Sequence, residues 1–193
     1  MLNGWKILGA TAIVSAVMLG GIGLLHGWTE ESVRLAIRAT ARVSCLLFLM
    51  AFVAAPLHRL WATHSSQWLV QNRRFLGLSM AVSHGFHGMT LGALHIVTHG
   101  QHPQINPLAV LGYVFLAAMA VTSFQATAKA IGRRAWRILH TAGMHYFWLA
   151  FMMEFAFRAM TNWIYFAFTL LVLFTMVIRL WPKPKLIAMS RDY

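Results

Sequence analysis

Long apolar runs alternate with short polar or basic stretches along the whole chain. About 20 consecutive, mostly apolar residues are needed for an α-helix to cross the hydrocarbon core of a membrane. Six runs meet that length, at residues 5–25, 42–62, 75–98, 108–128, 138–157 and 162–181. The pattern therefore predicts an all-α fold, a polytopic membrane protein built as a bundle of six transmembrane helices.

Composition supports a membrane location. The chain is 59% hydrophobic and only 10% charged, whereas soluble domains carry about a quarter charged residues. Sixteen Lys and Arg stand against four acids, giving a net charge of +12. Because the basic residues lie between apolar runs, they are typical of loops that face anionic lipid. We expect membrane lipid as a partner and no nucleic acid.

The charges also predict an orientation. Basic residues lie between the second and third runs, between the fourth and fifth, and after the sixth, whereas residues 99–107 carry no charge. By the positive-inside rule both termini are then cytoplasmic, and we expect a multi-pass protein of the bacterial inner membrane. The exception is Arg34, Arg38 and Arg42, whose spacing of four places them on one helix face. We interpret them as an outer extension of the second helix.

Histidines inside the apolar runs are the candidate chemistry. Of ten histidines, five fall within predicted spans: His84, His87, His95, His140 and His145. An ionisable group inside a membrane is costly and normally faces a cavity or a partner. A structural hydrogen bond would explain one such histidine, but five on two helices favour a metal or porphyrin site.

Depth along the helices suggests which histidines could pair. The third and fifth spans are expected to run parallel, and a helix rises 1.5 Å per residue. His84 then lies about 15 Å and His87 about 20 Å past Arg74, and His145 lies about 16 Å past Arg134. By depth alone the better pair is His87, or His84, with His145, while His140 stays in contention.

Haem is the metal group that this pattern favours over copper or zinc. Copper and zinc sites usually recruit a third or fourth ligand, often Cys or a carboxylate, and the spans offer only Cys45 and Glu154. Small residues near the histidines would let a flat ring approach the backbone. Arginines near the helix ends are candidate partners for the haem propionates, namely Arg42, Arg73, Arg74 and Arg137.

Several of these segments together carry a resemblance to a known family. They are Arg38-Ala39-Thr40-Ala41-Arg42, Pro56-Leu57-His58-Arg59, Arg73-Arg74-Phe75-Leu76-Gly77-Leu78 nine residues before His87, Thr122-Ser123-Phe124-Gln125-Ala126, and Gly132 through His140. In their order and spacing the chain resembles the ferric-reductase-like transmembrane domain family. Within that family it is most similar to the haem-binding membrane subunits of bacterial periplasmic methionine-sulfoxide reductase systems.

The resemblance implies one domain over residues 1–193, with a core at about 35–180. It also implies a haem b between the third and fifth helices, with a second haem as the alternative. By position His87 matches the family's third-helix ligand and His140 its first fifth-helix ligand. The family's second fifth-helix histidine would fall thirteen residues after His140, where this chain has Met153. The partner of His87 is therefore His140, His145 or Met153.

The leading functional hypothesis is a membrane-embedded, b-type haem electron-transfer subunit of an oxidoreductase system. The sequence has no glycine-rich phosphate-binding loop, so the cytoplasmic-side donor is expected to be a separate reductase, a quinol or a bound flavin such as FMN. The acceptor is expected on the outer side.

Two other functions fit the same residues. The chain would be a membrane ferric or cupric reductase if the outer histidines His95, His99 and His102 bound a metal substrate. It would be a non-haem scaffold or small transporter if its histidines were structural.

Overall fold

The computed structural model describes residues 2–101 and 106–181, and these residues form six α-helices and no strand. The helices are α1 (Trp5–His26), α2 (Glu30–Leu60), α3 (His64–Val97), α4 (Pro107–Val121), α5 (Gln125–Ala156) and α6 (Trp163–Leu180). The prediction of an all-α fold is confirmed for the described part of the chain. The single-domain assignment stays a prediction.

Side-chain caps fix where several helices begin. Thr29 and Thr63 each accept a hydrogen bond from the backbone of the residue three positions on, and Ser32 and Ser66 bond back to the cap in return. Such reciprocal boxes satisfy two of the backbone donors that a helix start leaves free. Asn106 caps α4, and the first residue of α4 is Pro107. Proline has no N–H, but the N–H at this first position has no partner inside a helix, so nothing is lost.

The helix boundaries confirm one prediction from the sequence and correct another. α2 begins at Glu30, so the interpretation of the arginine run as an extension of the second helix is confirmed, and Arg34 pairs with Glu30 at 2.7 Å. The predicted span 108–128 is wrong at its end, because α4 stops at Val121 and a three-residue turn follows. α5 then begins at Gln125, well before the predicted start at 138.

The turn between α4 and α5 bends the chain by 114°. Just beyond it, Gly132 has φ 78° and ψ 158°, a backbone conformation that only glycine adopts readily. Residues 125–131 therefore form a short helical segment that is offset from the main body of α5.

By length and apolarity, three described helices can cross a membrane: α1, α2 and α6. The bent pair of α4 and α5 adds a fourth if it counts as one span. The faces that α1 and α6 turn outward are apolar, with Leu24 88% exposed, and exposed apolar surface on this scale is typical of lipid contact. Six spans stay a prediction, because α3 carries many polar side chains and α4 has only 15 residues.

α2 is the central helix and packs against α1, α3, α5 and α6. Its buried aromatic residues Phe48 and Phe52 lie in a core that includes Phe147, Phe151 and Phe155 of α5. α2 and α3 run antiparallel. The end of the bundle where Leu60 and His64 lie is called below the α2–α3 end. The other end, where α1 ends and α2 begins, is called the opposite end.

Pro56 lies inside α2 and leaves one backbone acceptor for another helix. A proline has no N–H, so the carbonyl oxygen of Phe52, four residues earlier, lacks its helical donor. Arg179 of α6 donates to that oxygen at 3.3 Å, and Arg73 of α3 donates from Nε to the neighbouring carbonyl of Ala51 at 3.1 Å. The proline thus leaves one acceptor for α6, and Arg73 joins α3 to α2 at the carbonyl beside it.

Candidate functional site

α3 and α5 lie further apart than directly packed helices. No Cα atom of α3 lies within 8 Å of a Cα atom of α5 in the described residues, whereas packed helices have axes 8–10 Å apart. The two helices run parallel as expected, since Arg74 lies over Phe124 before α5 and His84 contacts Phe147 and Phe151 further along. The side chains of α3 and α5 meet across this gap.

His87 is held by a hydrogen bond to α2. The hydroxyl of Thr40 donates to the carbonyl of Ala36 at 2.8 Å, so its oxygen is left to accept from His87 Nδ1 at 3.1 Å. This bond places the proton of His87 on Nδ1 and leaves the lone pair on Nε2. An imidazole that donates its second nitrogen in this way is the usual form of a metal ligand.

His84 lies one turn before His87, and their ring centroids are 5.0 Å apart. Nδ1 of His84 is buried and has no hydrogen-bond partner. Tyr113 packs against the ring at 5.2 Å and donates to the carbonyl of His84 at 3.3 Å. An unpartnered buried ring nitrogen is costly in a protein interior, so this atom is a second candidate for ligand binding.

The two histidines of α5 also have fixed orientations. Thr122 donates to Ala118, so Nε2 of His140 donates to Thr122 at 3.1 Å, and the ring stacks on Trp136 with centroids 4.3 Å apart. His145 is exposed, and its Nδ1 donates to the carbonyl of Thr141 at 2.7 Å. The lone pairs are therefore on Nδ1 of His140 and on Nε2 of His145.

The structure does not bring His87 together with His140 or His145. The bonds Thr40–His87 and Ser44–Ser83 define how the antiparallel helices α2 and α3 align. Moving four residues forward along α2 corresponds to moving four residues back along α3. On that register Phe52 lies level with position 75 of α3, and His145 packs edge-on against Phe52 at 6.1 Å. These contacts place His145 nearer the α2–α3 end than His87.

Aromatic side chains occupy the space between these two depths. His84 contacts the rings of Phe147 and Phe151 at 6.1 and 6.2 Å, and both rings also pack on Phe48. Met153 is closer in depth to His84 and His87, but it lies on a different face of α5 from Phe151 and is 45% exposed. The equal depth that spacing predicted for His87 and His145 does not hold.

The arginines named as propionate partners are dispersed. Arg42 lies level with His84, over the ring of Tyr165 at 5.6 Å, and its buried Nε has no partner. Arg74 lies over the rings of Phe75 and Phe124 at the α2–α3 end, and Arg137 is exposed there. Only Arg42 is near the depth of the α3 histidines.

In the described residues no three His, Cys, Asp or Glu side chains lie close enough together to hold one metal ion, and the predicted outer histidine site stays a prediction. His95 and His99 lie at the end of α3 and in the turn that follows. His102, the third member of the group proposed for metal reduction, lies outside the described residues.

One curated protein resembles this chain. Over 125 residues the chain is 33% identical to the protein-methionine-sulfoxide reductase heme-binding subunit MsrQ of Cronobacter sakazakii. The match covers 56% of this chain and 60% of that protein, so the chain spans less than two thirds of its relative. No family model matches the chain, and no solved structure matches it significantly. The similarity supports the resemblance to haem-binding subunits, whereas no family model supports the wider ferric-reductase-like assignment.

The donor set fits a haem. His87 and His145 each present Nε2 with a free lone pair, and Nδ1 of His84 is buried without a hydrogen-bond partner. Gly77 and Gly85 of α3 have no atom within 4 Å of where a Cβ would stand. Haem iron accepts one axial imidazole or two. Sequence reasoning missed the hydroxyls of Thr40 and Thr122, which orient two imidazoles. Both threonines interrupt apolar stretches of the sequence, and a hydroxyl in such a stretch needs a hydrogen-bond partner.

Proposed function

We propose that this chain is a membrane-embedded electron-transfer subunit that binds haem b. The observation that carries the proposal is the imidazole of His87, which is oriented by Thr40 so that Nε2 is free to bind metal. The similarity to a haem-binding subunit supports it. Bound haem would supply one-electron redox chemistry, and the protein would position and tune it.

We further propose that the imidazoles of α3 and α5 serve two separate sites. A single haem held between α3 and α5 would need imidazoles from the two helices at a similar depth. His145 lies nearer the α2–α3 end than His87, and buried phenylalanine rings lie between the two levels. One site would then use His87, with His84 beside it, and the other would use His145 or His140.

The proposed direction of electron flow follows from charge. The α2–α3 end carries Arg59, Arg73 and Arg74 together with the basic start of α5, so we assign it to the cytoplasm by the positive-inside rule. A quinol, a reductase or FMN would donate electrons there, and a separate acceptor would receive them at the opposite end. The basic surface would favour an acidic reductase or the phosphate of a flavin.

Haem stoichiometry tests both parts of the proposal. Purified wild-type protein, expressed with haem supplied, should show a Soret band and a haem-to-protein ratio near two in a pyridine haemochrome assay. His87→Ala and His145→Ala should each remove part of the haem, and the double variant should remove nearly all of it. His58→Ala is the matched control, because His58 is bonded to Ser66 at 2.9 Å in the α2–α3 connection.

The outcomes separate the two claims. Loss of all haem in either single variant would mean one shared iron and would reject the two-site arrangement. A wild-type protein without any Soret band would reject the haem function itself.

A further inference from the structure

Two guanidinium groups from different helices meet on one short stretch of α2. Arg73 donates to the carbonyl of Ala51 and Arg179 to that of Phe52. These two carbonyls are consecutive, and Pro56 accounts for the free one. The ring of Phe52 lies under the guanidinium of Arg179 at 4.4 Å. Both cations are therefore held in place by the backbone and by an aromatic face.

Arg59 lies in the last turn of α2, seven residues and so about two turns after Phe52, on the same side of the helix as the carbonyl that Arg179 bonds. Arg59, Arg73 and Arg179 are called the arginine cluster here. Like charges brought together repel one another, so the cluster is most stable with an anion bound.

No carboxylate in the described residues neutralises the arginine cluster. The acids there are Glu30, Glu31 and Glu154. Glu30 and Glu31 begin α2 at the opposite end, and Glu154 pairs with Arg158 beyond the middle of α5. Among the residues that the structure describes, no carboxylate therefore balances the positive charge at the α2–α3 end.

Towards the rest of the described chain, the arginine cluster keeps most of its hydrogen-bond donors free. A guanidinium has five N–H donors in a planar fork; Arg73 uses Nε for Ala51, and Arg179 uses Nη1 for Phe52. Arg59 and Arg73 are exposed, and Arg179 is half-buried. Forked donors of this kind match the oxygens of a phosphate group, and their fixed positions lower the entropic cost of binding.

We propose that the arginine cluster is a binding site for a phosphate group at the α2–α3 end, carried either by an anionic phospholipid headgroup or by a soluble phosphate ester. The site is separate from the imidazoles of α3, and binding there does not require haem.

The test uses the full chain in nanodiscs of phosphatidylcholine. Inorganic phosphate is titrated against chloride at equal ionic strength, and the thermal midpoint Tm is followed by intrinsic fluorescence. A second arm replaces part of the lipid by phosphatidylglycerol. A ligand that binds only the folded protein raises Tm in proportion to its affinity. We expect phosphate, phosphatidylglycerol or both to raise Tm of the wild type.

Arg73→Gln and Arg179→Gln should each weaken the response by about tenfold in ligand concentration, since one charged hydrogen-bond donor is removed. Arg73→Lys and Arg179→Lys keep the charge but lose the fork, and they provide milder variants if the glutamine variants do not fold. Arg133→Gln is the charge-matched control, because Arg133 is exposed at the start of α5, outside the arginine cluster.

Each outcome decides the proposal. A response to free phosphate assigns the site to soluble phosphate esters, and a response to phosphatidylglycerol alone assigns it to lipid. No response in either arm, or equal weakening by Arg133→Gln, overturns it. A response that appears only in Asp192→Asn also overturns it, because the chain's own carboxylate would then fill the site.

Haem content is measured in the same samples. If the arginine variants lose haem while the phosphate response is unchanged, the cluster binds propionates and the proposal is wrong. If haem is absent but the response persists, the haem function fails and the phosphate site stands.

Discussion

Replacing Thr40 by valine tests whether the hydrogen bond to His87 prepares that imidazole for metal. Thr40 is fully buried, and its hydroxyl accepts from His87 Nδ1 at 3.1 Å while donating to the carbonyl of Ala36. Valine keeps the branched shape but removes the acceptor, so the N–H of His87 is left inside the bundle. An unsatisfied buried donor costs about 1–3 kcal/mol.

We therefore expect Thr40→Val to lower the unfolding free energy by about 1–3 kcal/mol. The effect on metal binding is larger. Loss of the partner that orients a ligating imidazole typically reduces metal affinity by about 10–100-fold. The imidazole also becomes less basic, so the midpoint potential of the haem should rise.

Haem transfer to excess apomyoglobin, followed at the Soret band, measures the first effect, and spectroelectrochemistry measures the second. Thr40→Ser is the control, because it keeps the hydroxyl and should behave nearly as the wild type. If Thr40→Val released haem at the wild-type rate and with an unchanged potential, Thr40 would not orient a haem ligand. The assignment of His87 would then lose its structural support.

Two further predictions concern packing around the same helices. Gly88→Ala would place a Cβ 2.9 Å from the hydroxyl of Tyr113, which donates to the carbonyl of His84. We therefore expect this variant to have a lower Tm and a perturbed Soret band. Gly85→Ala is the control: its Cβ would meet no atom within 4 Å, so it should leave stability unchanged or raise it by up to about 1 kcal/mol. Equal effects of the two alanines would contradict the close contact. Ser44 donates to Ser83 at 3.0 Å, and both are fully buried, so each single alanine variant should cost about 1 kcal/mol and the double variant less than their sum, as measured by a double-mutant cycle of unfolding in detergent. Strict additivity would show that the two hydroxyls do not interact.

The helices were largely predictable because their signals are local. Apolar runs of sufficient length, the cap residues Thr29 and Thr63, and the spacing of Arg34, Arg38 and Arg42 all act within a few residues of where a helix begins or continues. The boundary at 121–125 was missed because residues 122–128 carry no charge, and the bend is made by a turn that hydropathy does not register.

The site was predictable in its chemistry but not in its geometry. That His84, His87, His140 and His145 lie within helices was read correctly from the chain. Their depths were estimated from Arg74 and Arg134 on the assumption that both helices start at the same level. α5 starts early and is offset at Gly132, which changes its position along the bundle relative to α3. Histidines that are the same number of residues past Arg74 and past Arg134 therefore do not lie at the same depth.

The sequence by itself determined that this chain forms apolar helices with basic connections and places imidazoles inside two of them, because hydrophobicity and helix propensity are properties of contiguous residues. The tertiary structure alone decided which groups meet: Thr40 with His87, Phe52 with His145, and Arg73 and Arg179 on the carbonyls near Pro56. Those contacts join residues far apart in the chain. They depend on helix register and offset, which are set by packing of the whole bundle and leave no mark in any local pattern.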